Sequence, residues 1–355
     1  MNLETTTAIY AGNVRLSYGM IIAVFAFLSS WMLTVSLAGP GGEGDSQTIK
    51  GLVACRLKQL VALLMYGVFA AALASFFGRL IYWYSHYESY DGITGAFSSF
   101  EGCFHEAGVV LGFFAAAGIS SFFMGKEFMQ KMIGASATGM MLFMTLMSLV
   151  SMFNDSDRGK AVITDLYHQR LPYSYITGMS GGGTEYRTAV FFWKFILMGI
   201  ITVISFVLYI RKKSALMTYV CYFSAMALLD SARYDASFLR SNGFVSLMQI
   251  VAAVFLLSAM ITCLVLSLKK RRLHRFHMIF TLLFFIGIGL VGYMEYYVQR
   301  HGDLYIFCYT VMGMACVSMV VSIWIMHDSI SKGRGRKQSV RRSEKDESEE
   351  EYGDN

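Results

Sequence analysis

Proline, charge and patterned cysteine are all scarce in this chain. Its 355 residues include 2 prolines, and only 15% are charged, against roughly 25% in soluble domains. A soluble bundle of amphipathic helices needs a polar stripe along each helix, and the long segments here lack one. That class is excluded. The 6 cysteines (Cys55, Cys103, Cys221, Cys263, Cys308 and Cys316) show neither CxxC nor metal-ligand spacing. Most fall in apolar runs, where cysteine behaves as a small hydrophobe, so no metal site and no cofactor is implied. No basic region precedes the first apolar run, near Tyr18, and no small-residue cleavage site leads into a soluble domain. The first helix is therefore expected to be a retained span.

What remains is apolar. Hydrophobic residues make up 55% of the chain, with 28 Phe and 24 Met, and the mean hydropathy is +0.49. Runs of roughly 18 or more apolar residues, each long enough to span a bilayer, recur throughout. They predict an all-α polytopic membrane protein with nine spans, at about 18–38, 59–84, 105–124, 132–153, 189–210, 214–232, 244–268, 276–298 and 304–327.

Lys and Arg set the expected orientation. They gather in alternate connections: Lys50, Arg56 and Lys58; Lys126 and Lys131; Arg211, Lys212 and Lys213; Lys269, Lys270, Arg271, Arg272 and Arg275. The opposite connections are poorer, and 85–104 has no Lys or Arg. The reading is an outer N-terminus and a cytoplasmic C-terminus. Residues 331–342 are basic and 344–354 mostly acidic, a composition that cannot bury enough apolar surface to fold. The tail, 331–355, is expected to be a disordered cytoplasmic segment.

The remaining polar residues cluster at the outer helix ends. The second span ends with Arg79, Tyr82 and His86, which share a face by their spacing. The third begins with Glu101, His105 and Glu106, and the fourth ends in Asn154, Asp155 and Asp157. The fifth begins near Arg187 and Lys194. The sixth ends in Asp230, Arg233 and Asp235, and the seventh opens with Asn242, Ser246 and Gln249. Asp230 and Arg233, three apart, are placed to pair. Charge at membrane depth is costly and marks function by default, although interfacial Arg and Tyr also serve as simple anchors. Residues 88–104 suit an interfacial or re-entrant segment, and GMSGGG at 178–183 gives the long 154–188 loop flexibility.

Taken in order, these landmarks resemble the bacterial prolipoprotein diacylglyceryl transferases. The first span begins SYGMIIAVFAF, like that family's Tyr-Gly-Leu opening, and the second ends FFGRLIYWY, like its Gly-Ala-Arg-Leu-x-Tyr. EGCFHEAGVVLG is similar to its His-Gly-Gly-Leu-Ile-Gly segment, with His105 at the histidine. SMFNDSDRGK echoes part of its fourth-helix signature. LLDSARYD and GFVSLMQI resemble its Glu-x-x-Arg-x-Asp and Ser-x-x-Gln. Leu149 and Met226 stand where the family has arginines of its lipid site. The resemblance covers about 10–268 and implies a seven-helix core, 1–268, followed by an added hairpin, 269–330.

The resemblance implies transfer of diacylglyceryl from phosphatidylglycerol to the lipobox cysteine of a prolipoprotein signal peptide, in the bacterial plasma membrane. It places His105, Arg233 and Asp230 in catalysis, with His105 as the base that makes thiolate. Tyr18, Arg79, Gln249 and Asp155 fall to substrate binding, and Lys194 or Arg187 to the role of an absent arginine. Membrane lipids and the signal peptide are the partners, and no nucleic acid is implied. Two alternatives stand beside it: a non-catalytic relative that binds lipid or lipoprotein, and a small-solute transporter. A transporter favours midplane charges and an internal repeat, and neither is visible in the sequence.

Overall fold

The computed structural model describes residues 8–11, 14–39, 49–90, 92–98, 104–153, 156–161, 173–177, 184–211, 215–238, 245–269, 275–301 and 304–353. A two-stranded hairpin, β1 (Ala8–Ala11) and β2 (Val14–Ser17), leads directly into α1 (Tyr18–Ala38). There follow α2 (Ile49–Ser85), a short α3 (Gly92–Ser98), α4 (Glu106–Ser121) and α5 (Lys126–Met147). A second hairpin, β3 (Tyr173–Thr177) with β4 (Thr184–Thr188), precedes α6 (Val190–Ile210). The chain then forms α7 (Leu216–Ser231), α8 (Leu247–Lys269), α9 (Arg275–His301) and α10 (Tyr305–Gly353).

Among the described residues, 8 helices are long and apolar enough to cross a membrane. The span expected at 214–232 is the shorter apolar helix, Leu216–Ser231. Large apolar side chains point outward from these helices; Phe25 is 61% exposed and Val203 64%. In water such faces would be untenable, whereas hydrocarbon is their natural solvent. The chain is an all-α polytopic membrane protein.

The chain divides into two compact units, Met1–Val251 and Ala252–Asn355. The division falls inside α8, earlier than the boundary at 268 expected from the sequence. In the second unit, α9 and α10 pack on one another. The backbone of α10 continues as helix to Gly353, where the sequence composition suggested a disordered tail. Much of that stretch is Lys, Arg, Gln and Glu, straight-chain residues that lose little freedom in a helix.

The first unit is held by small residues and hydroxyls, as lipid-phase packing requires. Gly108 and Gly112 let α4 lie directly against α2: a Cβ on Gly108 would stand 2.2 Å from the Phe77 carbonyl oxygen, and one on Gly112 2.4 Å from the Ala74 Cα. The Tyr66 hydroxyl lies 2.8 Å from the Ser136 Oγ, joining α2 to α5. Thr138, Ser205 and Thr218 link α5, α6 and α7 through contacts of 2.9 and 3.0 Å. Helix α1 packs chiefly on α5 and α2 on α4, so α1 and α2 meet at few points. One of these is the Trp31 indole, which donates to the Leu63 carbonyl at 3.1 Å. It fills space that only a glycine at 67 leaves open.

Candidate functional site

The helices of the first unit run alternately up and down, so the start of α1, the end of α2, the start of α4, the end of α5, the start of α6 and the end of α7 share one end of the bundle. A cavity of about 820 Å³ opens there. Its body is apolar, walled by Ala23, Phe27, Phe113, Phe143, Met147 and Met226. Met20, Val24 and Leu28, one turn apart on α1, line it too, yet they are 57%, 52% and 45% exposed. The cavity therefore opens sideways along α1, where that helix parts from α2.

The polar end is an ion cage. Lys194, on the second turn of α6, pairs with Asp157 at 2.8 Å and with Glu106. Arg233, just past α7, directs Nε to Asp157 at 3.0 Å, Nη1 to Asp230 at 3.2 Å and Nη2 to Asp235 at 3.1 Å. Its Nη1 also stands 3.6 Å from Glu106. Side-chain exposure is only 5% for Lys194, 7% for Asp157 and 4% for Asp230. Charges so buried persist only with partners that replace water.

Asp157 is the centre of this arrangement. Its φ is +55°, a left-handed conformation that costs a non-glycine residue about 1 kcal/mol but which Asp tolerates better than most. The turn aims one carboxylate at both cations. Asp157 Oδ2 also accepts from the Ser151 hydroxyl at 2.9 Å, and its own N–H donates to Asp235 Oδ2 at 3.1 Å. Backbone bonds hold the segment in place: Phe191 N–H donates to the Asp157 carbonyl at 3.0 Å, and Tyr234 N–H to the Arg158 carbonyl at 2.9 Å. Burial works against ionisation of Asp157, but Arg233, then Lys194 and the Ser151 hydroxyl, outweigh it and hold the carboxyl well below the usual range.

His105 caps the N-terminus of α4, its Nδ1 accepting from Ala107 N–H at 3.3 Å. In the neutral ring this leaves the hydrogen on Nε2, so the histidine presents a donor. It lines the cavity beside Glu106 and His86. Two hydroxyls complete the cage, that of Tyr222 beside Glu106 and that of Ser246 beside Asp230.

The residues singled out from sequence divide accordingly. His105, Asp230 and Arg233 line one cavity. Arg79 does not; its guanidinium lies over the Tyr82 and Tyr90 rings, 5.5 and 5.4 Å from their centroids. Tyr82 and His86, on the same face, stack at 4.3 Å and do reach the cavity. Tyr18 is outside the lining, its ring 5.6 Å from that of Phe153. Gln249 forms a reciprocal capping box with Ser246 at the start of α8, with bonds of 2.9 and 3.1 Å. Its amide donates to the Ala227 carbonyl at 3.3 Å, so the Ser-x-x-Gln motif has a structural use here. Arg187 lies over the Tyr234 ring at 3.8 Å. Asp155, and the GMSGGG stretch of the long loop, lie outside the described residues.

Glu106, Asp157 and Asp235 received no role from the sequence, although all are central to the cage. Lys194 was named there only as a substitute cation. The available signal was the recurrence of ionisable residues at one set of helix ends. No protein-family model matches the chain, and no curated protein matches it.

Proposed function

We propose that the protein is a membrane-embedded transferase that moves the diacylglyceryl group of a glycerophospholipid to the cysteine thiol of a prolipoprotein lipobox. Phosphatidylglycerol is the donor implied by the family resemblance, and the bacterial plasma membrane is the setting, with the N-terminus outside and the C-terminus cytoplasmic. The observation that carries this reading is the cavity itself. An apolar body open along α1 leads to a buried cluster of ionised groups, the shape and polarity of a phospholipid whose tails stay in the bilayer.

In the reaction, the thiolate sulfur attacks the glycerol carbon bearing the phosphate. A C–S bond forms, the C–O bond breaks, and glycerol phosphate leaves with the electron pair. The thiol proton passes to a cage carboxylate; Glu106 suits this, because it lines the cavity next to His105. His105 donates from Nε2 to the phosphate, since Nδ1 is engaged with the α4 backbone. Donors aimed at developing charge in a dry site supply much of the rate in such reactions. Arg233 and Lys194 keep the carboxylates ordered and ionised.

The test is transfer of labelled diacylglyceryl to a lipobox peptide in reconstituted membranes. His105→Gln and Glu106→Gln are expected to reduce it by about 100-fold or more. Full activity in both variants overturns the assigned roles. Lipid binding without any transfer by the unaltered protein would favour the alternative, a non-catalytic lipid-binding relative. Commitment of both cations to internal carboxylates supports that second reading.

A further inference from the structure

Two histidines line the cavity, and their neighbours set their ring hydrogens in opposite ways. His86, just past α2, brings Nδ1 to 2.9 Å from the Ser85 Oγ and 3.1 Å from the Tyr82 carbonyl oxygen. The Ser85 hydroxyl donates its own hydrogen to that same carbonyl, at 2.8 Å. Both neighbours of Nδ1 are therefore acceptors, and Nδ1 carries the hydrogen. In the neutral ring Nε2 is then a bare acceptor, and among the described residues nothing donates to it. His105 is the reverse case, with Nδ1 accepting from Ala107 N–H and Nε2 left as the donor. The two rings are close enough for charge on one to act on the other. The stack of His86 on Tyr82, with centroids 4.3 Å apart, fixes the ring that carries the lone pair. One wall of the cavity thus offers an N–H and, near it, an open acceptor.

We propose that His86 selects the headgroup of the donor lipid, accepting at Nε2 a hydrogen bond from a headgroup hydroxyl. This deepens the diacylglyceryl-transfer reading and rests on it. A phosphodiester with a hydroxylated headgroup matches the pair of rings: a phosphate oxygen accepts from His105, and the hydroxyl donates to His86. A glycerol headgroup carries such a hydroxyl close to its phosphate ester. A choline headgroup has neither O–H nor N–H to offer. An ethanolamine headgroup carries its donors on a cation, whose stronger partner is a carboxylate and not a neutral ring. Because the headgroup departs as glycerol phosphate, the same bond holds the leaving group by its far end.

The full-length protein is purified in detergent at about pH 8, where an ordinary imidazole is neutral. It is titrated with phosphatidylglycerol, phosphatidylpropanol, phosphatidylethanolamine and phosphatidylcholine of identical acyl chains, and thermal stabilisation gives the apparent affinities. Phosphatidylpropanol keeps the charge and length of phosphatidylglycerol and lacks its hydroxyls. It is expected to bind about fivefold more weakly, the size of one neutral hydrogen bond. In His86→Phe, which keeps a ring against Tyr82, the two lipids should bind equally; His86→Gln, which keeps an acceptor, should retain part of the preference. Equal binding of the two by the unaltered protein, or an undiminished preference in His86→Phe, overturns the assignment and leaves the transfer reading intact. Phosphatidylethanolamine bound as tightly as phosphatidylglycerol overturns the hydroxyl as the group selected. The expected preference without any diacylglyceryl transfer overturns the reaction alone, and binding of none of the lipids overturns both. If His86→Phe fails to fold, the nitrogen resonance of His86 Nε2 in the unaltered, isotope-labelled protein decides. It should shift with phosphatidylglycerol and not with phosphatidylpropanol, and the same response to both overturns the assignment.

Discussion

Lys194 and Asp157 meet at 2.8 Å with both side chains almost wholly buried, one brought by a membrane helix and the other by a connecting segment. Each satisfies a charge that the other would otherwise strand. Removing one partner of such a pair costs about 3–5 kcal/mol. Lys194→Met is therefore expected to destabilise the protein by that amount, read by chemical denaturation in detergent micelles. Adding Asp157→Asn to it should recover part of the loss, and additive effects would show that the two are not coupled.

The same carboxyl sets an acid limit on stability. Asp157 is held below its unfolded value, near 3.9, by Arg233 and Lys194 against the opposing effect of burial. Its contribution is present in full above that value and is lost as pH falls through and below it, because the unfolded chain then binds a proton that the folded one refuses. The melting temperature should decline as pH drops below about 4. Asp157→Asn should flatten that part of the profile.

Close helix contact predicts a third result. Replacing Gly108 or Gly112 with Leu forces α4 away from α2, whose backbone lies at 2.2 to 2.6 Å from the new Cβ positions. Each change should abolish folded protein or lower its melting temperature by about 10 °C or more, as a loss of several kcal/mol gives in a domain of this size. On the same helix, a Cβ added at Gly118 would meet nothing within 4 Å. Gly118→Ala should be neutral or stabilising by up to about 1 kcal/mol.

Met226 offers a gain-of-function test. It lies four residues before Asp230 on the buried face of α7 and lines the cavity. Met226→Arg places a cation within reach of Asp230 Oδ2. The expected outcome is tighter binding of phosphatidylglycerol by about tenfold, measured by thermal stabilisation of the full-length protein in detergent. An unchanged affinity would show that this wall of the cavity does not meet the phosphate.

The helices were legible because hydrocarbon-facing segments must be apolar along their length, and the pairing of Asp230 with Arg233 followed from their spacing. The cage was legible only as a shared end of the bundle. Asp157 escaped because its role depends on a left-handed turn in a connection with no periodic pattern. Glu106 directly follows His105, which carries the motif and also caps α4, so the motif gives Glu106 no signal of its own. Arg79 shares a face with Tyr82 and His86, yet it stops one turn short of the cavity and rests on aromatic rings. Gln249 carried a motif whose use is to cap α8. The two β-hairpins were missed because short strands at helix ends leave little trace in a hydropathy pattern.

Trp31 gives the lateral opening a floor. It bridges α1 to α2 at Leu63, three residues beyond Leu28, the last residue of α1 to line the cavity. From Ser17 at the rim to Leu28 the helix rises about 17 Å. The slot between the two helices is therefore closed about one turn below the cavity, at a depth that the indole sets.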